Sequence, residues 1–260
     1  VQQLLSKYFA STPEYGRLSA SALNDYIRCQ KSFYYKYLEN ISEPEQDESI
    51  SISDTTLGTV AHAIMQDIYT PLEGKIVNKS DVQSLIQNIN NDAYWKNLPV
   101  LQKLQGDELA ERVIRSSVIN TLYFDYEQAP FEFIANEMKA NRIIHLSSIG
   151  QDIAITGKVD RIDILDQYLR VIDYKTGSKD FSFTNVANGL DMQMLLYLFA
   201  VTDSNTSGGY HGFESAGILY MPARDAKLTD KLKTSPDEEK TREIRSESLR
   251  MKGLVLKDGD

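Results

Sequence analysis

The chain has 260 residues, a net charge of −9, and 42% hydrophobic, 25% charged and 10% aromatic residues, the balance of a globular protein long enough to bury a sizeable core. Its acidity argues against a broad basic patch that holds duplex nucleic acid by phosphate neutralisation alone, though a narrow channel stays open. The lone cysteine, Cys29, excludes an internal disulfide framework and an all-cysteine metal site, and no apolar run reaches the roughly 20 residues that cross a bilayer.

Those limits point to one αβ unit in the reducing cytoplasm, with no signal-peptide core in "VQQLLSKYFASTPEYG" and no membrane contact. The chain starts at Val1 and closes on the strand-like run "MKGLVLKDGD", so it reads as a segment of something longer. From Ser19, an N-cap, apolar positions Leu23, Tyr26, Ile27, Tyr34, Tyr37 and Leu38 recur at helical spacing and predict one helix with an aromatic face. The acidic, serine-rich "ENISEPEQDESISISD" reads as an exposed loop. Gly58 then opens a second helix, "GTVAHAIMQDIYTPL", with Gly58 and His62 one turn apart.

Two more helical patterns, "DVQSLIQNINNDAYW" and "GDELAERVIRSSVINTLYFDYEQ", lead to Pro130, where the period changes. "FEFIANEMKANRIIHL", "QDIAITGKVDRIDIL" and "YLRVIDYKT" alternate as strands. A helix, "GLDMQMLLYLFAVTD", a glycine-rich loop and the strand "SAGILYMPA" follow, and the charged run "SPDEEKTREIRSESLR" reads as a solvated helix face. No repeat of solenoid period occurs.

The hairpin "VDRIDILDQYLRVIDYKTG" carries five charged residues that need an account: Asp160, Asp163, Asp166, Asp173 and Lys175. If Asp166 and Gln167 form its two-residue turn, Leu165 opposes Tyr168, Ile164 meets Leu169 and Ile162 meets Val171 on one face, while Asp163 meets Arg170 on the other. Apolar pairs and an ion pair then emerge together. One step further, Asp160 opposes Asp173 on the apolar face, with Cβ atoms ~5 Å apart. Opposed carboxylates destabilise a half-buried sheet unless a cation lies between them. Lys175 projects from the same face, roughly 7 Å along the strand. Two acids and a lysine on one face suit a hard cation with oxygen ligands, Mg²⁺ or Mn²⁺, and phosphodiester chemistry. The plain alternative is that these acids are exposed at strand ends, the usual fate of Asp.

These residues resemble a known family. "GKVDRID" followed by "VIDYKTG" is similar to the core of the PD-(D/E)XK nuclease superfamily, in its RecB and AddB-like branch. Similar proteins also carry a "SASALNDYIRCQKSFYYKYL"-type helix, a Gly-x-x-x-His helix, here "GTVAH", and a Gln-x-x-x-Tyr helix, here "QMLLY", in this order. The resemblance runs from Leu18 to the last strand. It implies an α/β, restriction-endonuclease-like core: a central mixed sheet flanked by helices, with an N-terminal helical portion. The expected organisation is a single nuclease domain over 1–260. Within it lie a mainly helical part carrying His62 at 18–130, a catalytic sheet core with the Gln-x-x-x-Tyr helix at 131–222, and a charged C-terminal extension at 223–260.

The resemblance further implies that His62, Asp160, Asp173 and the backbone carbonyl of Tyr174 ligate the metal, that Lys175 is catalytic, and that Gln193 and Tyr197 line the same cleft. Glu137, in the strand before the hairpin, is assigned a lesser metal or water-binding role. His145 and His211 fit no motif and are expected to be structural. Some similar proteins hold an iron–sulfur cluster whose first cysteine lies where Cys29 does, with three more near the C-terminus. Those three are not in this sequence, and Gln30 stands where a proline often follows. Either they lie beyond Asp260 or this protein belongs with the members lacking the cluster; no cluster is expected within this fragment.

The expected function is a Mg²⁺- or Mn²⁺-dependent deoxyribonuclease, an exonuclease on single strands or unwound ends in a helicase–nuclease assembly for DNA repair and recombination. No Gly-x-x-x-x-Gly-Lys-Ser/Thr motif occurs, so the motor lies in another domain or subunit. Tyr26, Phe33, Tyr34 and Tyr37 are expected to pack in a core rather than stack bases. The rivals are a catalytically silent, nuclease-like module that binds DNA or scaffolds a complex, and an enzyme acting on RNA, since a site gripping only phosphate does not separate the sugars.

Overall fold

The computed structural model describes residues 8, 18–41, 52–175, 181–202, 213–222, 240, 241, 243, 244 and 251–255. His211, Gly177, the glycine-rich loop and most of the run 235–250 lie outside the described residues, as does much of the predicted loop 39–54. Among the described residues seven strands make one mixed sheet: β1 (Leu18–Ser19), β2 (Lys75–Val77), β3 (Phe131–Leu146), β4 (Gln151–Leu165), β5 (Tyr168–Lys175), β6 (Glu214–Pro222) and β7 (Lys252–Val255). The order is β2-β3-β4-β5-β6-β7, with β1 pairing parallel to β4; the β2–β3, β4–β5 and β6–β7 pairs are antiparallel. The restriction-endonuclease-like α/β class read from the sequence is the one observed.

The chain forms two compact units. The first comprises Val1–Gln46, Met138–Val159 and Ser182–Ser215, and the second Asp47–Glu137, Asp160–Phe181 and Ala216–Asp260. In the first, α1 (Ala20–Arg28) starts where Ser19 accepts the Ala22 N–H at 3.1 Å, the expected cap. The predicted single helix is interrupted: Cys29 is extended (φ −160°, ψ 102°), and the chain resumes as α2 (Gln30–Phe33) and a π-turn, Tyr34–Leu38. Phe33 and Leu38 are buried, with Tyr34 and Tyr37 packed against them, while Tyr26 stays 44% exposed. After α7 (Phe183–Ala187), α8 (Gln193–Thr202) is a single apolar helix.

In the second unit, α3 (Asp54–Tyr69) begins four residues before the predicted Gly58, because Ser53 accepts the Thr56 N–H at 3.1 Å and caps it. Leu57, Val60, Ala61, Ile64, Met65 and Ile68 recur at helical spacing and are all buried, the stripe that docks an amphipathic helix. The third predicted helix is two, α4 (Lys79–Ile89) and α5 (Asp92–Lys96), because Asn91 is extended and caps the second through Ala93 N–H. The long α6 (Glu108–Gln128) is capped by Asp107. These helices share one core with Phe131, Phe133, Ile172, Tyr174, Leu219 and Met221 of the sheet. Among the described residues no helix is long and apolar enough to cross a membrane.

Candidate metal centre

The predicted hairpin register holds. Leu165 pairs with Tyr168, Ile164 with Leu169, Asp163 with Arg170, Ile162 with Val171, and Arg161 with Ile172. Asp166 takes the left-handed turn conformation (φ 57°) that short polar residues tolerate. So two of the hairpin's acids are architectural. Asp166 makes the turn, and Asp163 is wholly buried against Arg161 and Arg170.

Asp160 and Asp173 come next beyond the last of these pairs. One oxygen of Asp160, Oδ2, accepts the backbone N–H of Tyr174 at 2.9 Å and faces His62 Nδ1 at 3.5 Å. His62 projects from α3, and its Nε2–H donates to the Tyr174 carbonyl at 2.9 Å. Glu137 Oε1 is 3.8 Å from the same Nδ1. Donor atoms of His62, Glu137 and Asp160 all lie within 4.8 Å of one another. Asp173 stands apart from that trio, its Oδ2 paired with Lys175 Nζ at 2.6 Å.

Glu137 reaches the group by an uncommon backbone path, since it sits within β3 at φ 51°. A left-handed glutamate inside a strand costs about 1–3 kcal/mol and persists only where neighbours enforce it. Asn136 is such a neighbour: its side-chain amide donates to the Gln66 carbonyl at 3.2 Å and to Thr70 Oγ1 at 3.3 Å, and its N–H donates to Glu73. That ties β3 to the C-terminal end of α3, the helix carrying His62.

The electrostatics express crowded acids. Burial, and then the charge of Asp160, push Asp173 up to about 6, against the opposing pull of Lys175 and His62. Burial disfavours a charged His62, but Asp160, the Tyr174 carbonyl and Asp173 outweigh it and raise the imidazole to about 9. The pocket therefore draws in positive charge, here a proton on His62 and the ammonium of Lys175. The donors it brings together are the carboxylate oxygens of Asp160 and Glu137 and the His62 imidazole, a set that suits a hard cation such as Mg²⁺ or Mn²⁺ better than a soft metal.

Gln193 and Tyr197 belong to the first unit. Gln193 donates its amide to the Tyr197 hydroxyl at 3.1 Å, and the Tyr197 ring lies so close over Gly157 that a Cβ there would fall 1.9 Å from it. His145 is at the exposed surface, its Nδ1 2.6 Å from Asp152 Oδ1. The sequence reading missed Arg161, Asp125 and Tyr69, a buried group behind the pocket. The available signal was Arg161 itself, a charge in the middle of an apolar strand beside Asp160.

Residues 17–255 match the family model described as the PD-(D/E)XK nuclease superfamily. A protein of Clostridium acetobutylicum, named as a subunit of an ATP-dependent helicase/deoxyribonuclease, is 24% identical over 264 residues, covering 94% of this chain and 22% of that protein. Proteins of the same name from Clostridium perfringens strain SM101 (29% over 263 residues, 93% of this chain, 22% of that protein) and Clostridioides difficile strain 630 (27% over 278, 99% and 24%) are also similar. The chain thus spans between a fifth and a quarter of the length of these relatives. With the family match covering nearly all of the chain, the protein belongs to the PD-(D/E)XK nuclease superfamily.

Proposed function

We propose that the chain is the nuclease domain of a helicase–nuclease assembly for DNA repair and recombination, hydrolysing DNA phosphodiester bonds with Mg²⁺ or Mn²⁺ and acting as an exonuclease on single strands that a helicase domain or subunit delivers. The observation that carries this reading is the convergence of His62, Glu137 and Asp160 within 4.8 Å beside the Asp173–Lys175 pair. The relatives' name joins a helicase to a deoxyribonuclease, which supports the partner and the substrate.

In this reading Asp160, Asp173, His62 and the Tyr174 carbonyl hold the cation, with Glu137 ligating it or a water. When bound, such an ion offers Lewis acidity to a phosphate oxygen and lowers the pKa of water. By holding that ion, Asp160 and Asp173 would fix where the scissile phosphate is met. In the structure His62 donates Nε2–H to the Tyr174 carbonyl and turns Nδ1 to the acids; for the imidazole and that carbonyl to ligate one cation, this hydrogen bond would have to break and the ligating nitrogen give up its proton. Lys175, freed from Asp173, orients the attacking water or stabilises charge developing on the phosphate. For Gln193 the family resemblance suggests a role in positioning the substrate or Lys175.

The test is to incubate the purified chain with end-labelled single- and double-stranded DNA and RNA, in EDTA and in Mn²⁺. Stepwise, Mn²⁺-dependent shortening of single-stranded DNA, lost in Asp160→Ala, is the expected result. DNA binding without cleavage in any metal would favour the silent scaffolding module, and preferential cleavage of RNA would refute the substrate.

A further inference from the structure

We propose that Arg161 is a positioning residue for the metal centre: a buried guanidinium that, through the Tyr174 hydroxyl and, by way of the Asp125 carboxylate, the Tyr69 hydroxyl, holds the strand of Tyr174 and the helix of His62 in register with Asp160. The proposal rests on the reading of that pocket as a cation site.

Arg161 is wholly buried and directly follows Asp160 in β4, so its side chain leaves the opposite face of the strand. Its Nη1 donates to Asp125 Oδ2 at 2.8 Å and to the Tyr174 hydroxyl at 3.3 Å. Its Nε donates to Asp163 Oδ2 at 2.9 Å, and Nη2 lies 2.7 Å from the same oxygen. Tyr69 donates its hydroxyl to Asp125 Oδ2, and Arg170 Nε donates to Asp163 at 2.6 Å. The guanidinium lies 4.8 Å from the Phe131 ring centroid and 5.1 Å from that of Tyr69. Two arginines and two aspartates thus neutralise one another in a dry interior, the condition for burying charge at all.

A network built only for folding would have no reason to terminate on pocket elements, yet this one does so twice. Tyr174 is gripped at its hydroxyl by Arg161, while its main chain donates to Asp160 and accepts from His62. Tyr69 lies seven residues after His62 on α3, about two turns along the same face. It meets Arg161 through the shared oxygen of Asp125. Asp160 is covalently next to Arg161. The planar fork therefore sets the spacing of three elements that bear the donor atoms, a geometric task that a flexible ammonium does not perform. Hydrogen-bond partners behind metal ligands commonly change metal affinity by about 10–100-fold when removed.

Tyr174→Phe and Tyr69→Phe each delete one oxygen and keep the ring. The full chain and both variants are titrated with Mn²⁺ alone, free Mn²⁺ being read by electron paramagnetic resonance, and each is melted in EDTA. The expected result is a Kd for Mn²⁺ raised about tenfold or more by Tyr174→Phe and further in the double variant, with cooperative melting retained. If Tyr69→Phe does not fold, Tyr174→Phe decides alone. Melting points that fall while Kd stays within twofold of the parent overturn the positioning role and leave the nuclease reading standing. A parent that takes up no Mn²⁺ overturns the cation site and, with it, the role of Arg161.

Discussion

Replacing Asp173 by Asn tests how the pocket stores charge. Asp173 is 3% exposed, and its carboxyl is pushed from the ordinary 3.8 up to about 6 by burial and by Asp160. A carboxyl whose pKa is raised on folding is favoured in its neutral form. Its penalty is therefore absent below 3.8, grows as pH rises through 6, and is complete above that. The displacement corresponds to about 3 kcal/mol at pH 8. Asp173→Asn removes that cost, which already nets the attraction of Lys175 against burial and Asp160, but leaves a buried amide, so a net gain of about 1–2 kcal/mol is expected in EDTA. For a chain of this size that is a rise of about 2–8 °C in Tm. At pH 4.5 about a third of the ionisation penalty remains, and the advantage should shrink accordingly. In saturating Mn²⁺ at pH 8 the order should reverse, because a ligand at 100 times its Kd stabilises the parent by about 2.7 kcal/mol and the variant binds poorly. Differential scanning calorimetry under the three conditions reads all of this. A variant that melts below the parent in EDTA by the same amount at both pH values, and gains as much from Mn²⁺, would show that Asp173 carries no stored repulsion.

Lys175→Ala should reduce DNA cleavage at least a hundredfold while Mn²⁺ still binds, as read by electron paramagnetic resonance; cleavage near the parental rate would remove Lys175 from the chemistry. The His62 imidazolium, with its pKa raised to about 9, stabilises the metal-free fold fully below 6.5, a contribution lost as pH rises through 9. The EDTA melting gap between the parent and His62→Gln should therefore close across that window. Gly157→Ala should cost about 1–3 kcal/mol in thermal melts, because the added methyl would lie 1.9 Å from the Tyr197 ring. Adding Tyr197→Ala should recover part of the loss, and strict additivity of the two would count against the contact.

Much of the fold was legible because its signals are local. The change of period at Pro130 located β3, β4 and β5 nearly to the residue. The pairing of Ile162 with Val171 and Asp163 with Arg170 followed from alternation and a two-residue turn alone. The helix breaks at Cys29 and Asn91 were not legible, since helical spacing of apolar residues continues across both positions. Nor was the start of α3, where the capping hydroxyl of Ser53 outranked the glycine chosen from composition.

What the sequence by itself determined, then, was which residues share a face: His62 on its helix, and Asp160, Asp173 and Lys175 on theirs, because side-chain direction follows from periods of 3.6 and 2. Only the tertiary structure decided what covers each face. The face of the hairpin that carries Asp163 and Arg170 is closed over by α6 and the aromatic residues of α3 and β3, so that Arg161, Asp163 and Arg170 form a buried network. The left-handed turn at Glu137 is likewise imposed by distant partners, Gln66, Thr70 and Glu73, that clamp Asn136. Desolvation and clamping of this kind depend on which chain segments meet in space, a quantity that no local period encodes.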